Sequence, residues 1–363
     1  MTIIQSRIRM SVVLLVSIAT LGLVSGCGAA GVPPSNVTTL AGSTAGFADG
    51  SDTTAQFNGP TGVAVAPDGT VYIADTNNHR IRATNPTTGQ VTTLAGTGIV
   101  GHADGPGDTA KFAVPFGVAV APNGTVYVAD TNNHRIRAID PTTGSVTTVA
   151  GTDNAGYADG PGASAQFNGP TGLTVAPDGT IYVADFFNHR IRAINPTTGS
   201  VTTLAGSGSG FADGPGDTAQ FFRPFGVAVA PNGTVYVADY LNHRIRAVDP
   251  TTRKVTTLAG STGGFADGPG ATAQFTGPSS VTVDLDGTVY VADRANHRIR
   301  AIDPTTGQVT TFAGNGTAGF ADGPSATAQF NGPTGVTVAP DGTIYVADFD
   351  NHRIRKITRL DTE

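Results

Sequence analysis

Asn78-His79-Arg80-Ile81-Arg82 is the first of six copies of one pentapeptide in this chain. The histidines of the copies are His79, His134, His189, His243, His297 and His352, spaced by 54 or 55 residues. A fixed period of this length is typical of propellers, solenoids and other repeat arrays. Because the composition does not change across the copies, we predict one repeat domain that occupies most of the chain.

Each copy contains four short runs with strand character. In the first copy these runs begin at Gly62, Thr70, His79 and Val91. The pair Asp68-Gly69 between the first two runs is a strong hairpin signal, and Asn85-Pro-Thr-Thr-Gly89 supplies a turn before the fourth. No 3.6-residue periodicity in the copies supports a helix. The prediction is an all-β, six-bladed β-propeller of four-stranded antiparallel blades.

The ends of the repeat region are out of phase with its blades. Val37-Thr-Thr-Leu-Ala-Gly42 matches a fourth strand without the preceding three, and His352 to Ile357 matches a third strand without a fourth. We therefore predict that the N-terminal strand completes the last blade, which pairs two exposed sheet edges and closes the ring. The predicted propeller covers residues 37–357, followed by a C-terminal tail at 358–363.

The N-terminus has the pattern of an export signal. Arg7 and Arg9 precede an apolar run from Met10 to Val24, which has the length of a signal h-region and is short for a membrane span. The run ends in Val24-Ser-Gly-Cys27, which resembles the bacterial lipobox, and Cys27 is the only cysteine. We predict a lipoprotein signal peptide at 1–26, acylation of Cys27 and a flexible tether at 27–36. The protein is then expected outside the cytoplasm, anchored in a membrane of the bacterial cell envelope. The alternatives are a secretory signal with an incidental cysteine and an uncleaved N-terminal anchor.

The repeat resembles a known family. Its pattern is Tyr-(Val/Ile)-Ala-Asp, two variable residues and Asn-His-Arg-Ile, with Pro-x-Gly-(Val/Leu) upstream. This pattern is similar to the NHL repeat of six-bladed propellers, above all to exported bacterial NHL proteins, and the resemblance implies a platform that binds a ligand or a protein. RNA-binding NHL proteins have a basic binding face, whereas this chain has a formal charge of −6. We predict no nucleic acid partner, because an acidic body is poorly matched to phosphate backbones. A loop from Phe47 to Phe57, repeated in every copy, exceeds the usual repeat.

The repeated histidines and aspartates could suggest metal sites, but copies 54 or 55 residues apart lie in separate blades. We interpret them as structural. In the first copy, Asp75 is expected to pair with Arg80 across a short loop, while Asn78 caps the turn through its side chain.

Catalysis has little support in the sequence, which offers no asymmetric Ser-His-Asp or Cys-His constellation. Equivalent positions on the inner strands hold no acidic cluster: they are Ala64, Ala119, Thr174, Ala228, Thr282 and Thr337. His102 is predicted to be a packing residue, and Asp284 and Asp286 are weak evidence for calcium. We predict no cofactor and no metal. One alternative is a metal-dependent lyase or lactonase that acts at the channel mouth, and another is a structural repeat protein without a dedicated ligand.

Differences between the copies indicate where a ligand would bind. In an antiparallel blade, the loop between the second and third strands and the connection into the first strand emerge on one face. At these places, Thr, Asn and Gly residues of the first blade become aromatic, leucine or arginine residues in later blades. These residues are Phe186, Phe187, Phe222, Arg223, Phe225, Tyr240, Leu241 and Arg294, with Phe349 at the margin, and Phe116 makes a similar change in the second blade.

Arginine and aromatic side chains are typical of interaction hot spots, and loops on a rigid scaffold commonly carry function. We therefore predict that a monomeric protein binds an envelope protein, a peptide or a glycan at this surface. The alternative is that some of these rings fold inward and plug the channel mouth.

Overall fold

The computed structural model describes residues 34–360. Cys27, the predicted signal peptide and most of the predicted tether lie outside the described residues. The strands form six antiparallel sheets, and the innermost strand of each sheet contacts those of the sheets before and after it. The innermost strands of the first and last blades also touch, which completes a ring. The predicted six-bladed β-propeller is confirmed.

Strands are numbered in chain order, and each blade is given from its innermost strand outward. The chain begins with β1 (Ser35–Ala41). Blade one contains β2 (Pro60–Val65), β3 (Val71–Asp75), β4 (Arg80–Thr84) and β5 (Val91–Ala95). Blade two contains β6 (Pro115–Val120), β7 (Val126–Asp130), β8 (Arg135–Ile139) and β9 (Val146–Gly151). Blade three contains β10 (Pro170–Val175), β11 (Ile181–Asp185), β12 (Arg190–Ile194) and β13 (Val201–Ala205).

The second half of the ring repeats this order. Blade four contains β14 (Pro224–Val229), β15 (Val235–Asp239), β16 (Arg244–Val248) and β17 (Val255–Ala259). Blade five contains β18 (Pro278–Val283), β19 (Val289–Asp293), β20 (Arg298–Ile302) and β21 (Val309–Ala313). The short β22 (Gly323–Pro324) precedes blade six, which contains β23 (Pro333–Val338), β24 (Ile344–Asp348), β25 (Arg353–Arg359) and β1.

A 3-10 turn joins the second and third strands of every blade. The six turns are Thr76–Asn78, Thr131–Asn133, Phe186–Asn188, Tyr240–Asn242, Arg294–Asn296 and Phe349–Asn351. Within residues 34–360, no helix has the length and apolar character needed to span a bilayer.

The hydrophobic core lies between adjacent blades. In one interface, Tyr72 and Ala74 of blade one pack with Val126 and Val128 of blade two. Strand β3 is buried along its whole length, because a neighbouring blade covers each of its faces. This environment explains the nearly continuous apolar run of the second strand, where a half-exposed strand would alternate.

Strand β1 closes the ring, as the out-of-phase ends predict. It pairs antiparallel with β25, with Ser35 opposite Arg359 and Val37 opposite Ile357, so the pairing extends two residues beyond each end of the predicted range 37–357. Val37 is buried in the interface of blades five and six, while Leu40 packs in the interface of blades six and one. A single strand thus holds three blades together.

The recurring loop, called the edge loop and represented by Phe47 to Phe57, covers the outer edge of each blade. Gly50 forms an isolated antiparallel bridge with Val91 of the outermost strand β5. In blade six the equivalent segment is β22, which pairs with β1. Phe57 at the end of the loop is fully buried. Unpaired backbone groups on an outer strand can pair with a strand of another chain. By covering these groups, the edge loop protects each blade from such edge-to-edge association.

Candidate functional site

A buried ion pair fixes the 3-10 turn of each blade. In blade one, the guanidinium of Arg82 donates to Asp75 at 2.7 Å, and both side chains are fully buried. The carboxylate of Asp75 also accepts hydrogen bonds from the side-chain amide of Asn78 at 2.9 Å and the backbone N–H of Asn58 at 2.8 Å. The Arg–Asp pair recurs in the other five blades. This group, called the blade node, gives the repeated Asp, Asn and Arg residues a structural role.

The expected pairing of Asp75 with Arg80 is wrong. The two residues lie opposite each other in the backbone register. However, the Arg80 side chain donates to the carbonyls of Asn78 and Thr97 and stacks over the ring of Phe47 at 3.7 Å.

The edge loop supplies the other contacts of the blade node. Arg82 pairs with Asp49 of that loop at 2.5 Å, in addition to its bond with Asp75. The amide of Asn78 donates to the carbonyl of Gly46 at 2.7 Å, while the turn shows no side-chain cap. Asn78 therefore ties the turn to the residue that precedes the edge loop and does not cap it.

Each motif histidine connects its blade to the next one. His79 Nδ1 accepts a hydrogen bond from the backbone N–H of Val114 in blade two at 3.2 Å. His352 of blade six likewise accepts from Gly59 of blade one at 3.1 Å, which completes the circle. The other four bonds are equivalent. An accepting Nδ1 requires an unprotonated nitrogen, so these histidines bridge the blades in the neutral form.

Five of the motif histidines are expected to titrate below the ordinary value of 6.5. Burial lowers the pKa of His79, His134, His189, His243 and His297 because it disfavours the imidazolium ion. At pH values between the folded pKa and 6.5, the unfolded chain binds more protons than the folded one. The contribution of these histidines to the free energy of unfolding therefore falls as the pH drops through that window. Proton NMR titration of each imidazole measures the midpoints, and midpoints at or above 6.5 would contradict the expectation. Buried aspartates act in the opposite direction, since burial raises the pKa of Asp75, so bulk stability alone does not isolate the histidines.

The 3-10 turns and the connections into the first strands lie together on one face, called the loop face. In blade one the N–H of Asn77 donates to the carbonyl of Asn58, and in blade four the N–H of Leu241 donates to the carbonyl of Phe222. The two segments in which the copies differ are therefore adjacent.

Five rings from blades two to four form a cluster at the mouth of the central channel. This aromatic cluster consists of Phe116, Phe186, Phe187, Phe225 and Tyr240. The centroid of Phe225 lies 4.8 Å from that of Phe116, 5.5 Å from Phe186 and 5.3 Å from Tyr240. Phe186 and Phe187 meet edge to face at 4.8 Å. Edge-to-face and tilted contacts of this kind stabilise a ring cluster beyond its buried area.

Phe225 departs from the predicted arrangement. It is only 8% exposed, because the ring lines the channel mouth and packs against the rings of Phe116, Phe186 and Tyr240. It supports the cluster from below and presents little surface to a ligand, so the inward-folding alternative holds for this residue.

The outer rim of the cluster is accessible. Phe187 is 48% exposed, and Phe186 is half-buried beneath it. The guanidinium carbon of Arg223 lies 5.5 Å from the centroid of Phe186 and 5.3 Å from that of Phe187. This is the distance range of a cation–π contact, and it fixes a positive charge above two aromatic rings.

The remaining predicted residues flank this centre. Phe222 is 36% exposed and lies against the ring of His189, with centroids 5.8 Å apart. Leu241 is half-buried beside it. Arg294 and Phe349 form a second cation–π pair at 5.2 Å, in blades five and six.

Besides the six motif histidines, which are left-handed in every blade, two residues on the loop face have left-handed backbone angles that side chains rarely adopt. Val114 has φ of +54° and Arg223 has φ of +55°, at positions where the other four blades have glycine. The cost for a residue with a Cβ is roughly 1–2 kcal/mol, and strain of this kind is often retained at functional sites. The sequence contained the signal, since Gly-Pro of blades one, three, five and six becomes Val-Pro or Arg-Pro.

Val114→Gly is expected to raise the free energy of unfolding by about 1 kcal/mol, because it removes this strain while keeping the N–H that donates to His79. Urea denaturation of the pure protein measures the change. Val114→Ala is the control, since alanine retains the Cβ and should give a smaller gain. No gain from glycine would show that the conformation is not strained.

The central channel contains a cavity of about 190 Å³, lined by the first strands of all six blades. Its lining residues are glycines, hydroxyl residues and apolar residues, without an ionisable side chain among them, and they include the inner positions predicted from the sequence. The volume is below the range of about 300–1,000 Å³ that is usual for sites of drug-sized ligands.

The residues considered for metal binding have other partners. Asp284 pairs with Arg359 at 2.9 Å, and Asp286 accepts a hydrogen bond from the N–H of Thr288. Nε2 of His102 lies 3.2 Å from the hydroxyl of Thr148, and in the next blade the hydroxyl of Tyr157 lies 3.0 Å from that of Thr203. In the described part of the chain, no three His, Cys, Asp or Glu side chains are grouped so that they could hold a metal ion.

Together, the closed ring, the blade node and the interblade histidine define a six-bladed repeat propeller with an aromatic and cationic surface on one face. The model of the NHL repeat matches six segments: 57–83, 112–139, 167–194, 222–247, 275–302 and 330–357. The chain is an NHL repeat protein.

Curated relatives share this part of their length. The chain is 34% identical over 330 residues to NHL repeat-containing protein 2 of Bos taurus, covering 81% of this chain and 45% of that protein. It is 33% identical over 304 residues to Protein SUPPRESSOR OF QUENCHING 1, chloroplastic, of Arabidopsis thaliana, covering 79% of this chain and 29% of that protein. The chain thus spans less than half the length of either relative.

Solved structures share the fold at low identity. An auxiliary nutrient binding protein from Bacteroides thetaiotaomicron superposes with a TM-score of 0.69 and 20% identity, covering 89% of this chain and 76% of that one. A gluconolactonase from Xanthomonas campestris gives 0.60 at 16% identity, covering 90% and 95%. A streptogramin B lyase gives 0.55 at 13% identity, covering 90% and 98%. Similarity at this level establishes the architecture alone.

Proposed function

We propose that this protein is a non-enzymatic binding module whose loop face holds an envelope protein, a peptide or a glycan. The observation that carries the proposal is the aromatic cluster with Arg223 stacked over it. Blade one has Thr76, Asn77 and Gly59 at the equivalent positions, so these rings are additions to the common framework.

The arrangement suits a binding hot spot. Phe187 and Phe222 are exposed anchors, whereas Phe225 holds the cluster rigid from inside. Rigid aromatic anchors lose little conformational entropy when a partner binds, and a few such residues commonly supply most of the binding energy. The fold similarity to an auxiliary nutrient binding protein is compatible with this role.

The enzymatic alternative has weaker support, although the fold is similar to that of a lactonase and a lyase. Metal-dependent chemistry needs several ligands around an open coordination position. The described channel lining offers hydroxyl groups and backbone carbonyls, but no carboxylate or imidazole. Metal analysis of the purified protein tests this alternative, since stoichiometric zinc or calcium would favour it.

Affinity capture from the native envelope tests the proposal with the full chain as bait. The variant Phe187→Asn, Phe222→Asn, Arg223→Gly, Tyr240→Thr introduces the residues of blade one and should keep the fold. We expect a partner retained by the wild type and reduced at least tenfold by the variant. The control is Ile99→Thr, Val100→Ala, which removes two exposed apolar side chains from the edge-loop region of blade two and introduces blade-six residues. Equal recovery on all three baits would contradict a binding site on this face.

We also propose that the protein is anchored outside the cytoplasm through acylated Cys27. The lipobox-like Val24-Ser-Gly-Cys27 after an apolar run supports this location. Cys27→Ser, or treatment with globomycin, should shift the protein out of its membrane fraction or block its processing. An unchanged distribution and an unchanged mass would rule out the lipid anchor.

A further inference from the structure

We propose that the loop face recognises an acidic peptide segment with apolar side chains, whose carboxylates bind Arg223 and Arg294. This inference rests on the proposed binding function and specifies its ligand. Its basis is the state of the arginine side chains across the described chain.

Almost every described arginine uses its guanidinium inside the protein. Six of them form the blade nodes, and others donate to carbonyl oxygens or pair with acids at the blade surface: Arg80, Arg135, Arg190, Arg244, Arg253, Arg298, Arg353 and Arg359. Arg223 and Arg294 differ. Among residues 34–360, these are the two arginines whose guanidinium groups donate no hydrogen bond and have no carboxylate within 4 Å. Arg223 stacks over the rings of Phe186 and Phe187, and Arg294 over that of Phe349.

Both unpaired arginines lie on the loop face. Arg223 precedes the first strand of blade four, and Arg294 begins the 3-10 turn of blade five. Tyr240, which begins the turn of blade four, packs against Gly277 at the start of blade five. Aromatic surface therefore extends between the two cations.

The guanidinium groups of Arg223 and Arg294 are preorganised to bind an anionic partner. Both side chains are only partly exposed, so each charge is partly desolvated and positioned by a ring beneath it. A guanidinium in this state binds a carboxylate with two parallel hydrogen bonds more strongly than a neutral acceptor. Arg223 also occupies a strained backbone position where glycine stands in four blades, so its retention is costly unless the side chain acts.

The chemistry of the surface favours a peptide over a glycan. The nine predicted residues provide two guanidinium groups, which only donate, one hydroxyl group, on Tyr240, and no amide or carboxylate, so they offer few of the acceptors that the hydroxyls of a sugar chain need. Phenylalanine and leucine instead match apolar side chains. A ligand that alternates acidic and apolar residues satisfies both parts of the surface, as complementary charge and hydrophobic anchors do in protein interfaces.

Selection from a random dodecapeptide library displayed on phage, with the full chain as bait, tests this inference. We expect the bound peptides to be enriched in Asp and Glu together with Phe, Leu, Ile or Trp. Synthetic peptides from the selection are then titrated by fluorescence anisotropy. Arg223→Gly and Arg294→Thr, each the residue of blade one, should each weaken binding roughly tenfold or more, since charge-assisted bonds are lost. Lys111→Gln is the control for removing one positive charge elsewhere, since glutamine occupies that position in every other blade, and it should leave binding within twofold.

Each outcome separates the inference from the proposed function. Selected peptides without acidic residues that still require Phe187 would overturn the ligand class but support the binding site. Anionic oligosaccharides that bind while peptides do not would also overturn it. Acidic peptides that bind equally well to both arginine variants would show that another surface recognises them. No selective binding of any probe would contradict the inference and, together with a negative envelope capture, the proposed function.

Discussion

A chain that lacks residues 34–42 is expected to lose cooperative unfolding. Removing β1 leaves β25 as an unpaired edge and takes Val37 and Leu40 out of two blade interfaces. Each such side chain contributes about 1.5–3 kcal/mol, and the lost strand pairing adds to this. The sum approaches the whole stability of a typical domain, about 5–15 kcal/mol, so the open ring has no stable folded state.

Circular dichroism during thermal unfolding measures this effect. The matched control is a chain that begins at residue 34 and keeps β1 intact. We expect a single sharp transition in the control and a broad, shallow change in the shorter chain. Coincident transitions in the two chains would show that the ring does not depend on its N-terminal strand.

Arg192→Met is expected to reduce the free energy of unfolding by about 3–5 kcal/mol. Arg192 is fully buried in the node of blade three, where it pairs with Asp185 at 2.7 Å and with Asp159 of the edge loop at 2.5 Å. Methionine fills a similar volume but leaves Asp185 as a buried carboxylate without its cation. The interface between the blade and its edge loop is then weakened from inside.

Arg190 provides the control within the same strand. It is half-buried, stacks over Tyr157 at 4.0 Å and donates to the carbonyl of Asn188. Arg190→Met should cost only about 1 kcal/mol, since a cation–π contact and bonds to exposed carbonyls are lost. Equal costs for the two substitutions in guanidinium chloride denaturation would contradict the role assigned to the blade node.

The architecture could be predicted from the sequence because the same turn and strand patterns recur in every blade. The Asp-Gly turns and the fixed period gave the strand count, and the unmatched segments at Val37 and His352 gave the closure. The blade node was only partly predictable. Arg80 and Arg82 lie on the same side of β4, and the choice between them depends on Asp49, which reaches the strand from the edge loop. The sequence does not show that contact.

The location of the candidate site was predictable from the sequence, but the burial of its individual side chains was not. Differences between copies located Phe186, Phe187 and Arg223 on one face, and the structure places these three side chains in contact. Phe225 occupies the position of Thr61 in blade one, where a small hydroxyl side chain is buried. A ring at that position has to fill the channel mouth, which the sequence comparison alone could not distinguish from exposure. The left-handed angle of Val114 was visible in principle, since it replaces a glycine before proline.

The most direct test of a binding site on this loop face is photo-crosslinking in the native envelope. A benzoylphenylalanine replaces Phe187 in one version of the full chain, Asn132 at the equivalent position of blade two in another, and the exposed Leu285, in the turn between the first two strands of blade five, in a third. We expect a discrete crosslinked product from position 187 that is absent or much weaker from positions 132 and 285. Equal products from all three positions, or a product from position 285 alone, would contradict it.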